Sequence, residues 1–323
     1  MNNLTRGLSV VIPAYNSGEI LPALVERLHK TLQHSGEPFE LILVNDGSRD
    51  NTWETIQQLA RQYGCVRGFC NMRNYGQHNA LLCGIVAARY DKTCTMDDDL
   101  QHPPEEIPKL LAALTDDVDV VYAPPNQPQH GLLRNLASAI TKTALEGVMG
   151  SQTARQSSSW RLFRTCLRNA FDQYRSPLIS IDVLLTWGTT RFAACPLRHD
   201  PRTLGKSNYT FRSLLRHAVN MMTGFSILPL QVASIVGFFF TLFGLIVLAY
   251  VLLRYILYGS GVAGFTFLAS AITILSGAQL FALGIIGEYL ARMHLRLMEK
   301  PTYVVRATTE DETAAPPTSS HHP

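Results

Sequence analysis

The 323-residue sequence predicts an α/β protein: a mostly parallel sheet with helices on both faces, juxtamembrane amphipathic helices and a two-helix transmembrane hairpin. Three observations predict this fold class. Short β-branched runs alternate with helix-periodic segments over residues 8–123, polar and acidic residues follow several of these runs, and two long charge-free runs lie towards the C-terminus. Such a sheet binds ligands beyond the carboxyl ends of its strands.

Strand-like and helix-like segments alternate through the first part of the chain. The strands are predicted at residues 8–13, 39–44, 66–71, 92–96 and 118–123. The helices are predicted at residues 20–33, 51–63, 75–88 and 103–114. Asp50 precedes the second helix and is a candidate cap for it. This alternation favours parallel strands joined by helical crossovers.

Residues 232–253 and 262–287 carry no charged side chain. As helices they would be about 33 and 39 Å long, enough to cross about 30 Å of hydrocarbon. Two buried core helices of a soluble protein are the alternative. The predicted connector, residues 254–261, contains only Arg254, whereas several basic residues flank the pair. They are Arg212, Arg216, Arg292, Arg296 and Lys300. The positive-inside rule therefore predicts a multi-pass protein with both termini in the cytoplasm.

Charge is distributed unevenly along the chain. Residues 1–129 carry a net charge of −6, residues 130–224 carry +9 and residues 225–323 are neutral, which together give +3. A basic segment beside a membrane meets anionic headgroups, a phosphorylated substrate or nucleic acid. We therefore divide the chain after residues 129 and 224, with the hairpin at 225–300 and a frayed tail at 301–323.

The composition narrows the class of protein further. With 22 Gly and 17 Pro in an ordinary mixture, collagen, coiled coils and disordered chains are excluded. The first apolar run, residues 8–14, is too short for a signal peptide. The six cysteines include no C-x-x-C pair, so we expect reduced, mostly structural thiols.

Polar and acidic residues follow three of the predicted strands. They are Tyr15 and Asn16, then Asp46, and then Asp97, Asp98 and Asp99. Three successive carboxylates repel one another, so we expect a cation or a hydrogen-bond network to compensate them. Asp97 and Asp99 would face the same side of an extended chain, and their oxygens suit Mg²⁺ or Mn²⁺. A solvated acidic turn is the alternative.

The order of four motifs resembles a known family. VVIPAYN, VNDGSRD, RNYGQHNALLCG and DDDLQHPPEEIPKL, followed by the hairpin, are similar to family 2 glycosyltransferases of the GT-A fold. The resemblance covers residues 8–305. With the hairpin included, the chain resembles those members of the family that glycosylate a polyprenyl phosphate. It implies inverting, metal-dependent transfer of one sugar from a nucleotide-sugar to undecaprenyl phosphate. The UDP-linked sugar would be 4-deoxy-4-formamido-L-arabinose or glucose, used for the cell envelope or lipid A.

The resemblance also implies roles for single residues. The nucleotide-sugar site would contain Pro13, Tyr15, Asn16, Asp46, Asp97 and Asp98. The Mg²⁺ or Mn²⁺ would bind Asp97, Asp99 and Gln101, and the catalytic residues would be Asp99 and Arg202. The acceptor phosphate would bind Arg134, Ser138, Arg202, Lys206 and Ser207. The implied partners are the two substrates, the lipid bilayer of the bacterial inner membrane and further copies of the chain in a tetramer, with no nucleic acid.

Three departures from the family pattern leave alternatives open. Ser17 stands where many relatives have Glu, and Pro124 and Pro125 stand where relatives often have an Arg. Residues 156–160 also lack an Asp that is a candidate general base in many relatives. A phosphomonoester is largely ionised near neutral pH and attacks without a base, although Asp99 or Asp182 could assist. The alternatives are a processive polysaccharide synthase and a non-catalytic, membrane-anchored nucleotide-sugar binder.

Overall fold

The computed structural model describes residues 4–126, 156–175, 179–200, 228–258 and 264–314. Within these ranges the strands are β1 Thr5–Ala14, β2 Phe39–Asn45, β3 Val66–Asn71, β4 Tyr90–Thr95, β5 Val120–Tyr122, β6 Arg161–Arg164, β7 Phe192–Ala194 and β8 Val305–Thr308. They form one sheet in the order β7-β5-β6-β4-β1-β2-β3-β8. All five predicted strands are present, and the predicted fold class is confirmed.

The four predicted helices and the two membrane-length helices occur in the predicted order. The helices of the described ranges are α1 Leu21–Gln33, α2 Thr52–Gln62, α3 Gln77–Ala87, α4 Ile107–Ala113, α5 Ile181–Gly188, α6 Leu228–Tyr258, α7 Phe265–Leu297 and α8 Thr309–Ala314. Of these, α5 and α8 were not predicted. The predicted helix at 103–114 is divided into a 3-10 turn, Pro104–Glu106, and α4. Asp50 Oδ1 accepts the backbone N–H of Thr52, the first residue of α2, at 3.1 Å, but the N-cap position itself is Asn51.

The two faces of the sheet are buried against different helices because side chains alternate along each strand. Val10 and Ile12 of β1 pack with α1, whose apolar side chains recur at helical spacing. Val11 points to the other face and packs with α3. Gly84 of α3 lies so close to the sheet that a Cβ there would be 2.3 Å from Val11 Cγ1. Both faces of the sheet are therefore buried against helices, as expected for parallel strands.

The strand order reverses beside β1. β1 pairs in parallel with β2 on one side and with β4 on the other. In open α/β sheets, a crevice forms at the carboxyl ends of the strands where the order reverses in this way. The loops that follow β1 and β4 meet at this crevice, and they contain Tyr15 to Ser17 and Asp97 to Asp99. The topology thus brings together segments that are some eighty residues apart in sequence.

Helices α6 and α7 are long and apolar enough to cross a membrane, and they contact one another. Their apolar side chains are exposed, for example Phe238 at 65% and Leu280 at 69%, so they are not core helices of the α/β domain. The connector predicted at residues 254–261 begins too early, because α6 continues without a break through Arg254 to Tyr258. The membrane orientation of the termini stays a prediction.

Three strands were not predicted, and one prediction about the tail is wrong. β6 and β8 run antiparallel to their neighbours, β6 between β4 and β5 and β8 along β3. The segment expected to be frayed beyond residue 300 therefore contains an ordered strand and α8. The six cysteines are free thiols, as expected. The juxtamembrane amphipathic helices expected within residues 130–224 lie largely outside the described residues.

Candidate functional site

The loops after β1 and β2 are fastened to each other. Asn16 adopts a left-handed backbone conformation (φ 54°), which brings its N–H to the Ser48 hydroxyl at 3.0 Å. Its side-chain Oδ1 accepts the backbone N–H of Arg49 at 2.9 Å. Tyr15 is 45% exposed beside it. This leaves an aromatic ring displayed at the crevice on a loop that is held from two sides.

Asp46 organises the loop that follows β3. Its Oδ1 accepts Asn71 Nδ2 and the backbone N–H of Tyr75, both at 3.0 Å, and its Oδ2 accepts the N–H of Gly76 at 2.7 Å. The side chain is 3% exposed. The next residue, Gly47 (φ 66°), has no room for a Cβ, which would lie 2.4 Å from the Arg73 backbone. Asp46 therefore fixes the floor of the crevice, and its predicted contact with the nucleotide stays a prediction.

Asp97 begins the acidic segment that follows β4. Gln77 Nε2 donates to its Oδ1 at 2.6 Å, and the Ser159 hydroxyl donates to its Oδ2 at 2.8 Å. Gln77 is the first residue of α3, and Ser159 precedes β6. Two elements far apart in sequence thus orient this carboxylate at the crevice. Strand alternation ends at Thr95, so the turn, and not alternation, determines how Asp97 and Asp99 are placed.

Asp98 spans the crevice to the β1–α1 loop. Its carboxylate accepts hydrogen bonds from the Ser17 hydroxyl and from the backbone N–H of Tyr15. Burial is the main cause that raises the pKa of Asp98 to about 6, with a smaller contribution from the negative charges of Asp97 and Asp99 and an opposing effect of the Ser17 hydrogen bond. The site therefore concentrates negative charge, which a bound cation would relieve.

Asp99 lies at a sharp turn of the chain. Its Oδ1 accepts the backbone N–H of Gln101 at 3.1 Å, and the intervening Leu100 adopts a left-handed conformation (φ 60°). Asp99 is 9% exposed. A left-handed leucine is sterically unfavourable and is kept only where the surroundings determine it. The turn therefore holds the third carboxylate in a defined position.

His102 contacts the acidic segment, residues 97–99, through a hydrogen bond and packs on the buried Trp160. Its ring stacks on Trp160, with centroids 4.9 Å apart and planes 22° apart, and the edge of His199 lies 5.1 Å away. Burial lowers the pKa of His102 to about 3, and the neighbouring His199 contributes to the shift. The imidazole is therefore neutral near pH 7, and its Nδ1 accepts the backbone N–H of Asp97 at 3.2 Å.

A buried ion pair lies behind the site. Arg161 Nη1 donates to Asp182 Oδ1 at 2.7 Å, and the arginine side chain is only 1% exposed. Arg161 Nε also donates to the Ser159 carbonyl at 3.3 Å. Asp182 is a candidate assisting base, but its carboxylate is engaged in this ion pair with Arg161. The pair holds the residue whose hydroxyl binds Asp97.

The donor set suits a hard divalent cation. In the described part of the chain, no group of three or more His, Cys, Asp or Glu side chains is arranged to hold a metal ion on its own. Mg²⁺ and Mn²⁺ sites in phosphate-transferring proteins commonly use one or two carboxylates and complete the shell with substrate phosphates and water. Asp97 and Asp99 meet that requirement, because both carboxylates follow β4 in the same short segment. The residues present thus fit such a cation.

The structure brings most donor-side candidates to one edge of the sheet. These are Pro13, Tyr15, Asn16, Asp46, Asp97, Asp98, Asp99 and Gln101. The acceptor-phosphate candidates, which lie outside the described residues, are Arg134, Ser138, Arg202, Lys206 and Ser207. Sequence reasoning missed the supporting side chains Gln77, Ser159 and Trp160. Ser159 and Trp160 reach this edge because β6, which begins at Arg161, runs antiparallel to β4.

Comparison with known sequences identifies the family. Residues 9–183 match the domain described as glycosyl transferase family 2. The chain is 32% identical over 302 residues to the undecaprenyl-phosphate 4-deoxy-4-formamido-L-arabinose transferase of Shewanella sediminis, covering 93% of this chain and 91% of that protein. It is 31% identical over 309 residues to the enzyme of the same name from Serratia proteamaculans, covering 94% of each.

A solved structure shares the fold. Glucosyl-3-phosphoglycerate synthase from Mycobacterium tuberculosis, in complex with Mn²⁺, UDP-glucose and phosphoglyceric acid, superposes with a TM-score of 0.52 at 18% identity. The superposition covers 68% of this chain and 78% of the synthase. The shared architecture is the GT-A fold, as the sequence motifs predicted. With the family domain and the crevice at the strand ends, the chain belongs to glycosyl transferase family 2 and is a glycosyltransferase.

Proposed function

We propose that this glycosyltransferase transfers one sugar from a UDP-sugar to undecaprenyl phosphate, with inversion at the anomeric carbon, at the cytoplasmic face of the membrane. The observation that carries the proposal is the acidic crevice, Asp97 to Asp99 with Asp46, in a chain that also contains two membrane-length helices. The relatives named as undecaprenyl-phosphate 4-deoxy-4-formamido-L-arabinose transferases support the same acceptor, and that sugar or glucose as the donor group.

The reaction is a single displacement. A phosphate oxygen of the lipid forms a bond to the anomeric carbon as the bond from that carbon to the diphosphate breaks, and UDP leaves with the electron pair. The attacking phosphate is already ionised near neutral pH, so no proton has to be removed. Catalysis then depends on positioning and on stabilising the negative charge of the leaving group. The engagement of Asp182 with Arg161 agrees with a mechanism that uses no side chain as a base.

The donor side of the mechanism relies on residues described above. Asp97 and Asp99, with Gln101 as a further candidate, would hold Mg²⁺ or Mn²⁺, which acts as a Lewis acid for the leaving diphosphate when bound. Gln77 and Ser159 keep the Asp97 carboxylate oriented towards the crevice. Tyr15 and Asn16 would contact the nucleotide, on the loop that Ser48 and Arg49 hold in place.

The proposed acceptor site rests on the positive charge of residues 130–224 and on the two membrane-length helices, α6 and α7. Residues 130–224 carry a net charge of +9, which suits a lipid phosphate and an anionic membrane surface. Within that segment we assign the phosphate to Arg134, Ser138, Arg202, Lys206 and Ser207. An arginine fork matches phosphate geometry. Helices α6 and α7 would hold the enzyme in the bilayer that contains the acceptor.

The test is transfer of label into lipid. Membranes containing the protein are incubated with radiolabelled UDP-4-deoxy-4-formamido-L-arabinose or UDP-glucose, with Mg²⁺ or Mn²⁺ and undecaprenyl phosphate. We expect chloroform-soluble label with one donor and none after EDTA treatment. Arg202→Ala, with the exposed Arg198→Ala as a matched control, should remove transfer while UDP binding is retained.

The other possible outcomes would contradict all or part of this proposal. A growing water-soluble polymer would identify a processive polysaccharide synthase. UDP binding without transfer from any donor of the panel would identify a non-catalytic nucleotide-sugar binder. Transfer that resists EDTA would contradict the metal-dependent part of the proposal.

A further inference from the structure

We propose that the segment after α7, residues 302–311, is a positioning strap that fixes the donor loop, residues 72–76, relative to the second membrane helix. The proposal rests on the proposed function in one respect, because it takes the crevice beside this loop as the nucleotide site. Only Met298–Pro301 separate the end of α7 from the strap. The strap begins at Thr302, which is 4% exposed, so the chain is docked on the α/β domain as soon as it leaves the helix.

The strap enters the sheet at its active-site edge. Tyr303 and Val305 pack against the core cluster that α3 forms on the sheet. The Val304 carbonyl accepts the backbone N–H of Met72 at 2.8 Å. β8 then runs antiparallel to β3, with Val305 beside Asn71 and Thr308 beside Phe69. The first contacts of the strap are thus made where β3 passes into the donor loop.

The donor loop is held between Asp46 and the strap. On its inner side, the amides of Tyr75 and Gly76 donate to the Asp46 carboxylate. On its outer side, Met72 is bonded to Val304 of the strap. Met72 is 56% exposed, so this loop has little core of its own to hold it. A loop with few buried contacts takes its position from such hydrogen bonds.

The far end of the strap is fastened at the opposite edge of the sheet. Thr309 Oγ1 accepts the backbone N–H of Gly68 at 2.9 Å. Glu310 Oε1 binds Arg67 Nε at 2.6 Å and Arg89 Nη2 at 2.8 Å. Arg67 also binds Glu40 of β2 at 2.7 Å. The strap is therefore anchored at both edges, and displacement of α7 would act on the donor loop directly.

The first experiment shortens the chain. The full-length protein is compared in detergent with a chain that ends after Lys300, which lacks the strap, and with a control chain that ends after Ala314, which keeps it. Hydrogen exchange reports on the amides of the donor loop, and titration with UDP and Mn²⁺ reports on the site. We expect the chain ending at Lys300 to lose loop protection and about tenfold or more in UDP affinity, because the loop must be ordered on binding. The control should match full length.

A second pair of variants removes one anchor without removing the strand. Thr309→Val deletes the hydroxyl that accepts the Gly68 N–H, whereas Thr309→Ser keeps it. We expect Thr309→Val to increase exchange of the loop and to raise the KM for the UDP-sugar about threefold at unchanged kcat, and Thr309→Ser to restore both. A residue of merely structural importance would lower the melting temperature and leave the KM unchanged.

The outcomes separate this proposal from the proposed function. Unchanged loop exchange in the chain ending at Lys300, or in Thr309→Val if the shortened chain does not fold, would overturn the strap. Loop exchange that responds to shortening, in a full-length protein that binds no UDP, would support the strap and refute the nucleotide site.

Discussion

At the amino-terminal edge of the central sheet, acidic side chains pair with lysine and arginine, whereas at the carboxyl edge two key acids are bound by neutral donors. Glu37 binds Lys92 at 2.9 Å, and Arg191 binds Asp119 at 2.6 Å. Asp46, by contrast, accepts an amide side chain and two backbone N–H groups. Asp97 accepts the Gln77 amide and the Ser159 hydroxyl. The acids of the first edge are thus neutralised by cations, whereas Asp46 and Asp97 are oriented by groups that do not cancel their charge.

The pKa of Asp98 is shifted in the opposite direction from those of Glu37 and Asp119. The hydrogen bond from Lys92 lowers the pKa of Glu37, despite some burial, and that from Arg191 lowers the pKa of Asp119. Burial and two neighbouring carboxylates raise the pKa of Asp98 to about 6. The ion pairs of Glu37 and Asp119 therefore favour their ionised, folded forms, whereas burial opposes the ionisation of Asp98.

The largest expected effect comes from removing a carboxylate of the second edge. Asp99→Ala should lower transfer about a thousandfold, because a bound metal contributes several kcal/mol of charge stabilisation to the departing diphosphate. The melting temperature should change little, because relief of the repulsion from Asp98 offsets the loss of the hydrogen bond from the Gln101 N–H. Initial rates of lipid labelling and a thermal melt measure the two quantities.

The matched control for this variant is Asp116→Ala, at the amino-terminal edge. The Asp116 side chain is fully exposed, and the variant should retain wild-type activity. An Asp99→Ala enzyme with normal rates would show that this carboxylate has no part in the metal site.

Asp46→Asn should affect both stability and donor binding. An asparagine presents an NH₂ group to one of the N–H donors that Asp46 now accepts, so a buried donor is left without an acceptor. We expect a loss of about 2–4 kcal/mol in the free energy of unfolding, together with weaker UDP binding. Denaturant unfolding and a UDP titration provide the measurements, and the exposed Asp117→Asn is the control. A variant that keeps both values would place the fixing of the loop elsewhere.

His102→Phe should lower catalysis less than Asp99→Ala does, with some loss of stability because the Asp97 N–H loses its acceptor. Phenylalanine keeps an aromatic ring on Trp160 but removes the Nδ1 atom that accepts the Asp97 N–H. We expect kcat to fall about tenfold, because a slight misplacement of a catalytic group is costly. His102→Asn, whose side-chain oxygen can accept that N–H, should recover part of the rate. Equal rates for the two variants would show that the ring and not its nitrogen matters.

Sequence patterns predicted the fold and the acids but not the groups that hold them. Apolar alternation located the five central and neighbouring strands, and strand ends located Asp46 and Asp97 to Asp99. The support from Ser159 depends on β6 entering the sheet antiparallel between β4 and β5, a long-range pairing that local periodicity does not encode. The docking of the strap was missed for the same reason, because a polar four-residue strand gains its order from β3.

The smallest expected effect tests the amino-terminal edge through pH. Glu37 is bound by Lys92 of β4 and, more weakly, by Arg6 of β1, and its pKa is lowered from 4.5. A lowered pKa means that the ion pair stabilises the fold above the unfolded-state pKa and loses that contribution as the pH falls through the folded-state pKa. Glu37→Gln should therefore lower stability by about 0.5–1 kcal/mol near neutral pH and by progressively less as the pH falls below 4.5, with transfer activity unchanged. Thermal melts of both proteins across this range measure the difference, and a difference that persists in acid would show that packing, and not the ion pair, stabilises this edge.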